Sequence, residues 1–148
     1  MKRVFPIAAL WLALTAPLGA MLKHVERVTP RIGQRGTTVE VVIQGAHLGD
    51  PREILFDRPG IRVVSIEAMT KLPRSTGLAH GGRIEEEVKC RFEIAPDCEP
   101  GEHRFRLRTA TQLTSLGTFH VTPFPAVDEE EAGTNSNDTP ATARPVPA

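Results

Sequence analysis

"EEEVKCRFEIAPDCEPGEHRFRLRT", residues 85–109, decides the fold. Its first half points Val88, Cys90, Phe92 and Ile94 one way and Glu87, Lys89, Arg91 and Glu93 the other. A period of two belongs to a β-strand with one face buried and one wet. Pro96, Asp97, Pro100 and Gly101 mark a connection. Beyond it His103, Phe105, Leu107 and Thr109 share one face, and Arg104, Arg106 and Arg108 share the other.

The same pattern extends in both directions. "VERVTP" is a short strand ending at Pro30, and "TTVEVVIQG" places Val39, Val41 and Ile43 opposite Thr38, Glu40, Val42 and Gln44 before Gly45 ends the run. "REILFD" supplies Ile54 and Phe56, and Pro59-Gly60 make a turn. In "IRVVSIEA" the parity shifts at Val64 and Ile66, the mark of a bulge or of a strand covered on both sides. "LGTFHVTPF" closes the set with Phe119 and Val121. About seven strands and no segment of helical period predict an all-β, antiparallel β-sandwich over residues 22–125. If the last two strands form a hairpin, Thr118 and His120 lie beside Arg106 and Arg104.

The chain's ends read differently. "MKRVFPIAALWLALTAPLGA", residues 1–20, has Lys2 and Arg3, an apolar run and small residues up to Ala20, which is the order of a secretory signal peptide. Its apolar run is shorter than the ~20 residues of a spanning helix. Cleavage after Ala20 is expected. Leu18 fits the small-residue rule poorly, and retention as an uncleaved anchor is the alternative. The remaining chain has no second apolar segment, so no membrane span is expected after cleavage, and a secreted, periplasmic or cell-surface location is. Residues 126–148, rich in acids, Thr, Asn, Ala and Pro, cannot bury enough surface to offset ordering and read as a linker or disordered tail.

Cleavage removes two bases and no acid, leaving 16 Lys and Arg against 18 Asp and Glu. That slightly acidic balance excludes a general nucleic-acid binder. It also frames the arginine stripe. Alternate strand residues lie roughly 6.8 Å apart, near the phosphate spacing of a nucleic-acid strand. Glu93, Glu99, Glu102 and the run Glu85–Glu87 oppose that reading, and no exposed aromatic offers a base-stacking platform. Arg104, Arg106 and Arg108 therefore read first as a solvated, cross-strand-paired face and second as an anionic-ligand surface. Residues 70–83 lack periodicity and predict a long loop. Lys71, Arg74, His80 and Arg83 with Gly77, Gly81 and Gly82 make it a cationic flap, set against the plainer reading of an uninvolved insertion.

Catalytic chemistry is not legible. His24, His47, His80, His103 and His120 form no HxxxH or HExxH pattern, and no serine sits in a G-x-S-x-G elbow. No phosphate loop is present, Glu129–Glu131 lack the alternating ligands of a calcium loop, and no metal or cofactor is expected. An oxidising compartment permits a disulfide between Cys90 and Cys98, but the chain would have to double back within seven residues. The alternative is a buried Cys90 and a partly covered Cys98. Asn137-Asp138-Thr139 fits the N-glycosylation pattern.

Pro30, Gly33, Gly36, Thr37, Val39, Val41, Gly45 and Leu48 fall where the opening of IPT/TIG domains, "V.P..G..GGT.V.I.G..F", has its marked residues, and Pro96, Gly101 and Thr109 match that family's "P....G...V.V.T" segment. Residues 24–122 thus resemble an IPT/TIG-type immunoglobulin-like domain of bacterial exported proteins. The matched positions, with the Pro59-Gly60 turn, are turn chemistry and bear on fold more than function. Asn137, Asp138, Ala141 and Ala143 resemble the start of a pre-peptidase C-terminal (PPC) domain, which implies a longer multidomain chain or a shortened relative of one. The resemblances imply an exported, non-enzymatic binding, adhesion or spacer module whose partner is a protein or cell-envelope component. An accessory domain of a secreted peptidase is the first alternative. A polysaccharide-binding module is the second, weakened because Trp11 lies in the signal and no tyrosine exists.

Overall fold

Short alternating runs separated by Gly, Pro and Asp fold into nine strands, with no helix, in a computed structural model that describes residues 22–73 and 84–126. They are β1 (His24–Thr29), β2 (Ile32–Gln34), β3 (Thr38–Ala46), β4 (Pro51–Phe56), β5 (Ile61–Ile66), β6 (Thr70–Lys71), β7 (Glu86–Ile94), β8 (Gly101–Thr109) and β9 (Gly117–Thr122). One sheet has the order β1-β3-β7-β5, with β6 also paired to β7, and the other has the order β2-β9-β8-β4. In immunoglobulin lettering these are A-B-E-D and A′-G-F-C, so the fold is an immunoglobulin-like β-sandwich.

The core is what the alternation predicts. Val88, Cys90, Phe92 and Ile94 from β7 meet His103, Phe105, Leu107 and Thr109 from β8, all buried. Phe92 is the hub: its ring lies 5.1 Å from Phe56, 5.4 Å from Phe119 and 6.0 Å from Phe105, near-perpendicular to each. Edge-to-face contacts of this kind add about 0.5–1.5 kcal/mol to the gain from burial alone. The parity break in β5 is a register shift between Val63 and Ser65 against β7.

The structure departs from the sequence expectations in four places. Two strands were not foreseen: β2, which pairs parallel to β9 in an otherwise antiparallel fold, and β6, inside the stretch read as a loop. Three residues and two are too few to show a period. The last hairpin forms in a different register, with Arg104 beside Thr118 and Glu102 beside His120. Finally, Gly33 and Gly45 lie within strands and are required by close packing. A Cβ on Gly45 would stand 1.9 Å from the His24 carbonyl oxygen, which no rearrangement short of parting β1 from β3 relieves.

Cys90 and Cys98 are free, buried thiols with no bond between them. Cys90 lies in the core and donates to the Val41 carbonyl at 3.3 Å. Cys98, expected to be partly covered, is 3% exposed because the Pro59-Gly60 turn lies over it. Gly60 has φ of 107°, and a Cβ there would meet the Cys98 sulfur at 2.5 Å.

Candidate functional site

β8 runs between β4 and β9, so its outward side chains have neighbours on both flanks. Strand alternation puts Arg104, Arg106 and Arg108 together on that outer face, each exposed. Their partners differ. Asp57, just past the end of β4, accepts from the Arg104 backbone N–H at 2.9 Å and from its Nε at 3.0 Å. Arg108 donates through Nε to Glu53 at 2.8 Å. Arg106 donates to the Thr114 carbonyl at 2.6 Å, its one guanidinium hydrogen bond among the described residues. Two arginines are thus matched by carboxylates and the middle one by a neutral oxygen.

The Asp57 carboxyl is held below its ordinary value: desolvation pushes it up, but the hydrogen bonds and charge of Arg104, helped by Arg58, outweigh that. The fork around Asp57 fastens the outer face of β8 to the corner after β4.

Exposed apolar side chains stand on both flanks of the arginine stripe. Leu55 is the direct cross-strand neighbour of Arg106 on β4 and is 41% exposed. On the β9 side, Leu113 bridges to Arg108, and Leu116 precedes Gly117, the partner of Phe105; they are 47% and 48% exposed. Buried Thr114 anchors this connection by accepting from the Leu107 N–H at 3.0 Å. Sequence reasoning missed these leucines, although the parity of "REILFD" already turns Leu55 away from Ile54 and Phe56.

Of the cationic flap's named residues only Lys71 is described, and it does not join this face. Lys71 lies in β6, on the other sheet, opposite Glu86 of β7. Arg74, His80 and Arg83 lie outside the described residues.

Two further places on the molecule bear on chemistry. An open groove of about 920 Å³ lies between β4 and β5, with Phe56, Ile61, Val63 and Ile66 along it. Below the Gly60 turn, His103 is fully buried and its Nε2 stands 2.8 Å from the Glu99 carbonyl and 3.7 Å from the Cys98 sulfur. A carbonyl only accepts, so Nε2 carries the proton and cannot take one from the thiol. Burial, then Asp97 and Glu99, push the Cys98 thiol up, the reverse of what a nucleophile needs. The pair is a packing feature.

Among the described residues, no group of three or more His, Cys, Asp or Glu could hold a metal ion, and no helix is long and apolar enough to cross a membrane. No family model and no curated protein matches the chain. Among solved structures it is similar to the seventh ScaB type I cohesin from Pseudobacteroides cellulosolvens, at 12% identity and a TM-score of 0.38, over 68% of this chain and 93% of that one.

Proposed function

We propose that this protein is an exported, non-enzymatic binding module of the IPT/TIG type, acting at the cell surface or in the periplasm through its outer faces. The observation that carries this reading is the division of labour in the sandwich. Among the described residues the interior is given to packing, the buried Cys98 and His103 are oriented against nucleophilic chemistry, and a guanidinium with no carboxylate partner and exposed leucines stand outside. The A-B-E-D and A′-G-F-C connectivity fits an immunoglobulin-like module. Positive φ at Gly36 and Gly101 fits two of the turn positions on which the IPT/TIG resemblance rests. The signal-like residues 1–20 support export, and the partner is a protein or envelope component.

Fractionation of the native host tests this. The chain is expected outside the cytoplasm, beginning at Met21, and retained on purified envelopes in a saturable way that excess untagged chain competes away. A cytoplasmic chain beginning at Met1, or retention without saturation, overturns the reading. An intact mass well above 16.2 kDa, with peptidase activity in the same polypeptide, favours the accessory-domain alternative.

A further inference from the structure

We infer that the outer face of β4 and β8 around Arg106 is a docking surface for a protein partner that presents a carboxylate between apolar side chains. The inference rests on the binding-module reading and specifies where and what it binds. Charge complementarity selects the carboxylate. Arg104 and Arg108 already have Asp57 and Glu53, whereas Arg106 has one neutral acceptor. A guanidinium offers five N–H donors in a planar fork that matches a carboxylate. The Thr114 carbonyl fixes the fork in place, so little freedom is lost on binding.

Surroundings select the apolar flanks. Leu55, directly across from Arg106 on β4, and Leu113 and Leu116 in the connection on the other flank, with Leu113 paired to Arg108, expose apolar surface beside the stripe. When a partner covers such apolar surface and displaces its water, a charged hydrogen bond beside it contributes more to binding than one left in water. The paired Arg104–Asp57 and Arg108–Glu53 flank Arg106 as a rim that is already neutralised. A polyanion needs the three guanidinia available together, which these pairings deny. A single carboxylate needs only the middle one.

The test is a titration of the full ¹⁵N-labelled exported chain with the peptide acetyl-Leu-Glu-Leu-amide, followed by backbone amide shifts. Saturable shifts are expected at Leu55, Arg106, Leu113 and Leu116. The analogue with Gln in place of Glu is expected to bind about tenfold more weakly, the scale of one charged hydrogen bond. Arg106→Gln should erase the preference for Glu over Gln, and Leu113→Ser, which leaves the guanidinium intact, should weaken both peptides alike. Absence of saturable shifts, shifts centred elsewhere, or equal affinity for the two peptides overturns the proposal. Failure of the module reading itself would show instead as loss of saturable envelope retention, a measurement in which no residue of this face is altered.

Discussion

The two long sides of the sandwich are built differently. On one side the chain crosses between sheets: β1 pairs with β3, and after Pro30 and Arg31 the chain becomes β2 and pairs with β9. The Arg35 N–H donates to the Thr122 carbonyl and the His120 N–H to Arg31, while Gly33 presses on Ile94, Phe119 and Val39. On the other side β4 and β5 each end a sheet, and Phe56, Ile61, Val63 and Ile66 stay only partly buried along the groove. An unpaired strand edge invites unwanted pairing. One side answers by dividing its edge strand between the sheets. The other relies on Pro51, on bulges near Arg52 and Val64, and on ion pairs from Arg52, Arg58 and Arg62.

The largest expected effect sets the scale from β7, which both sides share. Burial pushes the Cys90 thiol from 9.0 up to about 12. The folded state therefore holds a proton that the unfolded state releases. This contribution is complete below pH 9 and is lost as pH rises towards about 12, by about 4 kcal/mol from a shift of that size. Denaturant melts of wild type and Cys90→Ala should diverge in slope over that window. Parallel slopes would place the thiol in a wetter environment.

The comparison itself is tested by paired truncations. Phe119→Ala, in the closed half, should cost about 4 kcal/mol, and Phe56→Ala, on the groove, about 2 kcal/mol. Equal losses in urea melts would mean that the groove side is packed as tightly as the other. A smaller change probes the seam: a Cβ on Gly33 would meet Ile94, Phe119 and Val39 at 2.7–2.9 Å, so Gly33→Ala should cost about 2 kcal/mol by overpacking. Val64→Ala, exposed on the open edge, should be near neutral.

The smallest effect concerns the Asp57 fork. Because this carboxyl titrates lower in the folded state, its contribution is present above the ordinary carboxylate range and fades as pH falls through its folded value. Asp57→Asn should lower stability slightly at pH 7, and the difference from wild type should close as pH falls through the acid-unfolding curve.

Much of this architecture is legible in residues 85–109. The strands there are long enough for parity to sort every side chain, and in β8 each residue from Glu102 to Thr109 falls on the expected face. The bulge in β5 is legible too, because two apolar residues in succession break the period. What is not legible depends on partners distant in sequence. The register of the last hairpin is set by the irregular connection of residues 110–116, where Thr109 and Thr114 hold turns through their hydroxyls. The burial of Cys98 depends on a turn thirty-eight residues earlier. Within the candidate site, the arginine stripe is readable as a pattern. The distinction among its members is not, because it rests on Asp57 and Glu53 in β4 and its corner, and on a backbone carbonyl.

The parallel pairing of β2 with β9 also bears on mechanics. These strands lie near the two ends of the domain and run in the same direction. Tension applied to the chain on either side therefore slides one past the other, and the hydrogen bonds between them share the load instead of parting one at a time. A tether through this domain would resist pulling by shear, with β2 as the latch.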